Sequence, residues 1–599
     1  MKGVLTLLAL VGLYASYDYY RRFHLANVVT PDGLKKSYDF IVVGAGSAGS
    51  ALAARLSESS QHSVLLIEAG NAGWRTWWSH IPAFMADNRE TDIDWAFRTV
   101  PQKHASLGMV DKVEKWPRGK VLGGTGVLNS LAYLRGRAGD HERWVKMHGC
   151  KGWGYKDVLP YYKRQETIHF PSHNPELRGQ SGPQHISHVP RTEVGQAWLQ
   201  AAAELGYKLN PELNGAMEDG FGVVEQLAYD GSRQSGWMYL KLAQHRPNFH
   251  ILTDAQATKV LLNEDKKAVG VEYSWKGQRL SVSAAKEVVV SAGAVQSPHL
   301  LMLSGIGPKE QLEEFGIPLV VANPAVGQNL ADHVMTGWPL FQMNRSAAHD
   351  DVDFYSLENA KRALKYALFR TGPWNSTGVS EHGYIHSNVE PKTNTADIQL
   401  QLCPLYNMKG IGHKFDNLRP DVEAAEMVHR KSNFIFAFTS GLQYPMSRGE
   451  IRLQSADPFA KPLIDPRHLS HPRDFQAIVK GLEIGLKMIK ETKAMAYLDP
   501  VSTEAPIRDC AQHPFFSRAY LECFVRHKTI TIYHPSCTCR MGPKPDNAVV
   551  DTKLRVFGVK GLRVADTSIF PDIVTVNTNA AAVMVGERAA DLILADHTP

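Results

Sequence analysis

"YDFIVVGAGSAGSALAARLSESSQHSVLLIEAG", Tyr38 to Gly70, sets two apolar runs on either side of a glycine turn and a helix-forming stretch. Phe40 to Val43 is short and rich in β-branched residues. Ala48 to Leu56 has helical composition, and Val64 to Ile67 is a second apolar run. That order predicts strand, turn, helix, strand. Gly44, Gly46 and Gly49 stand at the junction, each with its own task. Gly44 permits the tight turn, Gly46 lets the backbone approach a pyrophosphate, and Gly49 lets the helix pack on the strand. The helix N-terminus, entered through Ser47 and Ala48, then faces the phosphates with free N–H groups and a favourable dipole. Glu68 ends the second strand nineteen residues past Gly49 and is placed to accept from both ribose hydroxyls. An acid there favours FAD or NAD over a 2′-phosphorylated dinucleotide. A glycine fingerprint alone is weak; here both strands, the helix and the acid accompany it.

Outward from this unit, Phe249 to Ala294 alternates well enough for several antiparallel strands and ends in the apolar "EVVVSAGA". A strand running into Ala292-Gly293 is another place for backbone to meet a cofactor. Segments so far apart in sequence must share one sheet, so the domains interleave. Residues 334–445 are polar and aromatic by turns and carry no nucleotide signature. The last stretch reads strand, loop, helix, with Asn577 to Asn579 capping a helix that begins near Ala580. The expected division is 1–37 as a leader or anchor, 38–333 with most of the cofactor domain, 334–445 mainly for substrate, and 446–599 returning to the cofactor.

The 599 residues are 44% hydrophobic and 21% charged, an ordinary globular balance, and the net charge of +6 is mild and scattered. Nothing in it points to nucleic acid. "GVLTLLALVGLYASY", Gly3 to Tyr17, is uncharged between Lys2 and Arg21-Arg22. It is short for a bilayer span and long enough for a signal peptide, so it reads as a signal or membrane anchor, with a buried or interfacial helix as the alternative. The expected location is secreted or membrane-associated, with mitochondrial as the alternative. Sequons at Asn344 and Asn375 suit secretion.

Six cysteines (Cys150, Cys403, Cys510, Cys523, Cys537 and Cys539) are too few for a disulfide scaffold and fit a reduced enzyme at least as well. "YHPSCTCRMG", Tyr533 to Gly542, places His534, Cys537 and Cys539 close together. It allows a zinc site, a redox-active pair or a lone catalytic histidine. Zinc needs a second ligand pair. The chain has no CxxC, and the pairs His169/His173 and His382/His386 have no cysteine nearby, so no metal is expected.

Several separate motifs resemble the glucose-methanol-choline (GMC) oxidoreductases, FAD enzymes, over nearly the whole chain after Tyr38. Besides the fingerprint they are "GKVLGGTGVLNSLAYLRG" (Gly119 to Gly136), "GAVQSPHLLMLSGIG" (Gly293 to Gly307), "VGQNLADH" (Val326 to His333), and "YHP…CRMG" with "NTNA". The resemblance implies a Rossmann-like FAD-binding domain interleaved with an antiparallel-sheet substrate domain, a mixed α/β fold. It implies flavin contacts from Gly44, Gly46, Ser47, Ala48, Gly49, Glu68 and Ala69 in the fingerprint. Arg118, Gly119, Val121, Gly123, Gly124, Thr125 and Asn129 would add to them around the first signature. Val260, Ala292, Gly293, Asp566 and Thr578 complete the implied set. His534 occupies the place of the family's catalytic histidine and Asn577 that of its partner, so the cysteines beside His534 are not the chemistry. Leu128 stands where some relatives link FAD through a histidine, which implies non-covalent FAD. Cys537 and Val576 replace glycines and put Cβ atoms near the pocket, and Gly126 replaces a small hydroxyl residue beside the flavin.

A neutral imidazole can take a hydroxyl proton as charge develops on oxygen, while the flavin takes the hydride. The expected activity is oxidation of an alcohol or sugar CH–OH, with electrons passed to a quinone or other carrier and dehydrogenase favoured over oxidase. "PDNAVVD" (Pro545 to Asp551) looks like the animal dehydrogenase branch. Glu381 in "GVSEHGYI" matches an acid of choline-oxidising relatives and, with aromatic walls such as Trp374 or Tyr384, would suit choline. A surface glutamate is the alternative. FAD-retaining lyases, a fatty-acid photodecarboxylase and a non-catalytic flavoprotein share the fold; the His534–Asn577 pair favours alcohol oxidation over all three.

Overall fold

The computed structural model describes residues 12–597 apart from 14–15, 19, 23, 73–76, 218, 344–356, 394, 407–415 and 432–433. Two sheets organise it. The first runs in the order Val28–Val29, Phe249–Leu252, Val64–Ile67, Ser37–Val43, Gln278–Val290, Ala268–Trp275, Ala255–Leu262, with Leu562–Val564 also paired to Gln278–Val290. Its nucleotide-binding half is parallel, with Phe40 opposite Val64 and Val288 opposite both Ile41 and Leu562. The last three strands in that order form an antiparallel meander. Phe40, Ile41, Val42, Val64, Leu65 and Leu66 have no exposed surface, because parallel strands are covered on both faces. That is why these runs read as continuous apolar stretches rather than alternating ones.

Gly44 turns the chain at φ +101°, and the helix Ser47–Leu56 follows. A Cβ on Gly49 would lie 1.9 Å from the Gly44 carbonyl oxygen, so only glycine lets this helix sit so close to its turn. The C-terminal helix Asn579–His597 packs on the same helix.

The second sheet is antiparallel: Pro500–Ser502, Leu340–Met343, Phe434–Leu442, Ile398–Tyr406, Glu381–Ile385, Gly220–Val223. The short strand Val334–Met335 joins it and pairs with Ile530–Thr531, three residues before His534. The long helix Pro472–Glu491 packs on this sheet through Ile478, Val479, Leu482 and Leu486, a core of its own. The fold is therefore the interleaved pair of a Rossmann-like domain and an antiparallel-sheet domain, and the strand at 220–223 shows how early in the chain the second sheet is seeded.

Two expectations are corrected. Cys510 and Cys523 form a disulfide, so the chain is not uniformly reduced, and the other four cysteines are free and buried. The N-terminal membrane anchor fails as well: among the described residues no helix is long and apolar enough to cross a membrane. Residues 1–11, most of the apolar stretch, lie outside the described residues, as does the Asn344 sequon. Where description begins, Asp18 is buried and held by Arg21, Arg22 and Arg370, while Arg22 reaches Asp230. These ion pairs fasten Asp18 and Arg22 to the body of the protein.

Candidate active site

One cavity of about 340 Å³ lies where the two sheets' motifs converge. Gly44, Gly46, Ser47, Ala48, Glu68 and Ala69 line one stretch of it; Arg118, Gly119, Gly124, Thr125 and Asn129 line another. Ala292, Gly293, Asp566, Thr578, His534 and Asn577 complete the expected residues that it gathers. Gly49, Val121, Gly123 and Val260 stand behind the wall and shape it. Gly49 sets the helix, the Gly123 N–H donates to the Ala45 carbonyl (2.8 Å), and the Val260 N–H is taken by Ser304 Oγ (2.9 Å). The strand meets the cavity at Ala255, Gln256 and Ala257 instead.

The wall fits a dinucleotide. A Cβ on Gly46 would meet nothing within 4 Å, which marks open space beside the backbone at the helix N-terminus. The Glu68 carboxylate accepts from the Ala45 and Gly70 N–H groups (2.9 Å each), and its burial pushes its pKa up to about 7. Asp566 accepts from the Gly293 N–H (2.9 Å), Ser297 Oγ (2.5 Å) and the Ser568 N–H (2.7 Å), joining two cofactor-facing turns. Gln296 Oε1, His299 Nε2, Asn577 Oδ1 and Asn579 Nδ2 are buried in this wall without a hydrogen-bond partner. Buried polar atoms are nearly always satisfied, so four orphans on one cavity imply a polar occupant.

His534 sits between Asn577, whose Nδ2 lies 3.3 Å from its Nε2, and His333, whose Nδ1 lies 3.0 Å from its Nδ1. Two ring nitrogens at that distance share one proton. With the Asn577 amide donating to Nε2, that nitrogen bears its lone pair, and His534 Nδ1–H donates to His333. This is the tautomer a base at Nε2 requires. Burial above all holds the His534 pKa well below 6.5, and His333, Arg118 and His382 push it further down. Behind it, the His534 N–H donates to Asp332 Oδ1 (2.8 Å), and Arg118 Nη2 donates to the Tyr533 carbonyl (2.7 Å). Cys537 and Val576 are buried but absent from the cavity wall, and Cys537 adopts φ +74°, a conformation suited to glycine.

Glu381 is not brought to the cavity. Its carboxylate accepts from Ser380 Oγ and lies against Gly195 of the helix Glu193–Glu204. Met335, Trp338, Val379, Gln401, Cys403 and Ile532 line the cavity instead. No sequence motif marks these residues as cavity residues, since they come from separate segments that only the fold brings together; His333, behind His534, ends the "VGQNLADH" motif. Among the described residues the one grouping of metal-ligand types is Cys510, Cys523 and His527, and its two sulfurs are committed to the disulfide.

Family models described as GMC oxidoreductase match residues 38–335 and 445–586. The chain belongs to the GMC oxidoreductase family. Similar proteins include a glucose dehydrogenase [FAD, quinone] from Drosophila melanogaster, 38% identical over 93% of this chain and 86% of that one. A mitochondrial choline dehydrogenase from Mus musculus is 36% identical over 93% and 90%. Among solved structures, a formate oxidase superposes with a TM-score of 0.84 at 27% identity, covering 94% of this chain and 99% of that one. This GMC oxidoreductase is an FAD-dependent enzyme acting on a CH–OH type of substrate.

Proposed function

We propose that the enzyme is a dehydrogenase for a neutral alcohol or sugar, with His534 as base, FAD held without a covalent bond, and a quinone or similar carrier as electron acceptor. The observation that carries the choice of substrate is that, among the described residues, no carboxylate faces the cavity beside the base. Among the described residues that line the cavity, the acids are Glu68 and Asp566, both committed to backbone N–H groups of the nucleotide cradle. The acid that choline would need, Glu381, packs against the helix behind the sheet. A quaternary ammonium buried without an anion is costly, whereas hydroxyls are matched by Gln401, Thr377, Ser130 and Asn577 on the wall. Leu128, which cannot form a bond to flavin, supports non-covalent FAD.

When bound, FAD supplies the hydride acceptor. The protein's share is orientation and proton movement. Asn577 donates to the substrate oxygen, and His534 Nε2 takes the hydroxyl proton. His333 accepts from His534 Nδ1–H and so steadies the imidazolium that results. General base catalysis of this kind contributes roughly 10²–10⁴-fold. The test is anaerobic flavin bleaching with choline, glucose and primary alcohols of increasing length. Bleaching by a neutral alcohol or sugar, lost in His534→Ala, is expected, and acid precipitation should release all flavin. Bleaching by choline alone, or none by any of them, would overturn the reading.

A further inference from the structure

His468 belongs to no motif of the family resemblance, yet it lies fully inside the protein beneath the base-bearing loop. Its Nδ1 is 2.9 Å from Glu114 Oε1, and its Nε2 is 3.4 Å from Asp332 Oδ2. The three side chains are at most 3% exposed. Both acids run on into the loop that carries His534. Asp332 Oδ1 accepts the His534 N–H (2.8 Å), and Asp332 Oδ2 accepts from Thr531 Oγ1 (2.5 Å). Thr531 Oγ1 in turn accepts the Tyr533 N–H (2.6 Å), and Glu114 Oε2 accepts the Thr531 N–H (3.1 Å). Three backbone donors around the base, those of Thr531, Tyr533 and His534, are thus tied to two carboxylates directly or through Thr531 Oγ1, and the side chain that stands between those carboxylates is His468.

We propose that His468 is a positioning residue for alcohol oxidation: standing between Glu114 and Asp332 it holds the two acids together and so fixes the backbone of residues 531–534. This rests on His534 being the base. Two buried carboxylates facing one loop would repel and draw in protons or water unless a cation stood between them. Burial opposes charge on His468, but Glu114 and Asp332 outweigh it and push its pKa up to about 10. Glu114 is lowered in turn, its burial outweighed by the His468 charge. Arg118, which lines the cavity, also interacts electrostatically with Asp332. Tyr533 holds φ +68°, so the loop needs outside fixation to keep this shape. A displacement of the imidazole by about 1 Å costs on the order of 100-fold in rate.

The experiment is stopped-flow flavin reduction in the holoenzyme, with whichever alcohol or sugar bleaches the wild type, because the rate constant per bound flavin does not depend on how much protein is folded. His468→Gln is expected to slow the limiting rate roughly ten- to hundred-fold, with substrate affinity changed less than about three-fold. The double variant Asp332→Asn/His468→Gln removes cation and anion together but keeps an acceptor for the His534 N–H, and it should recover most of that rate. An unchanged rate in His468→Gln, or a double variant slower than the single, would overturn the proposal. If His468→Gln yields no folded holoenzyme, Asp332→Asn takes its place: a loss of about ten-fold or more at unchanged affinity supports the proposal, and a wild-type rate overturns it. His534→Ala separates the two readings. Wild-type reduction by that variant removes the base itself, whereas its loss alongside an unaffected His468→Gln removes only the role of His468.

Discussion

Gly46→Val tests the proposed phosphate site apart from folding, because Gly46 borders open space whereas Gly49 is packed against the turn. Gly46 has φ −73° and ψ −168°, backbone angles that any L-residue adopts, and its added Cβ would touch nothing within 4 Å. The unliganded protein should therefore unfold within about 0.5 kcal/mol of wild type, as substitutions without packing consequences do. The branched side chain would instead stand in the space that the helix N-terminus holds open for phosphate. A 100-fold loss of flavin affinity corresponds to about 2.7 kcal/mol. Wild-type protein in flavin at about 100 times its dissociation constant gains the same amount of stability from the ligand. Urea unfolding with and without added FAD measures both quantities. The expected result is a variant that matches the unliganded wild type and gains almost nothing from FAD. Gly49→Ala is the opposite control, since its Cβ would lie 1.9 Å from the Gly44 oxygen. Overpacking there should cost about 1–3 kcal/mol before any ligand is added. A Gly46→Val protein that purifies with stoichiometric flavin would refute the placement of phosphate at this turn.

Flavin reduction should keep its full rate down to pH values below 6.5, because burial keeps His534 neutral there and only protonation at lower pH removes the base; an acid limb at or above 6.5 in a pH profile would contradict this. Glu381→Gln should leave alcohol oxidation within about two-fold of wild type, and a marked rise in KM would return that carboxylate to the cavity. Replacing Cys510 and Cys523 with serine should lower stability by about 2–3 kcal/mol for a loop this short, seen as an earlier urea midpoint with the per-flavin rate unchanged. Cys537→Gly relieves a left-handed backbone at the cost of a buried thiol and unfolded-state entropy, so it should change stability by less than about 1 kcal/mol; a fall in the reduction rate would show that the thiol shapes the site.

Features encoded by adjacent residues were legible in the sequence. The turn at Gly44, the packing of Gly49, the two apolar strands and the acid at Glu68 all sit within one βαβ unit, so composition and spacing state them together. The disulfide left no such trace. Cys510 and Cys523 are separated by 13 residues, and what joins them is the path of the chain into the helix Arg518–Lys528. Val260 lies three residues beyond Ala257 on the same strand, and the cavity meets that strand at its start, Ala255 to Ala257.

Glu381 illustrates the harder limit. In "SEHGY" the acid and His382 are neighbours, and on a strand neighbours face opposite sides. Which of them faces the base is a matter of parity, and parity is set by the partner strand. Gln401 and Cys403 line the cavity, so Leu402 between them faces away. Residues directly opposite each other in an antiparallel pair share a face. Glu381 is opposite Leu402, and His382 is opposite Gln401. The acid therefore turns toward Gly195, while His382 turns to the cavity side, where Gln399 Nε2 lies 2.9 Å from its Nδ1 and where it helps keep His534 neutral. A shift of one residue in that pairing would exchange them and turn a carboxylate to the cavity side, converting the proposed site for neutral hydroxyls into one for a cation. Under the proposed function, substrate charge thus follows from strand register as much as from residue identity.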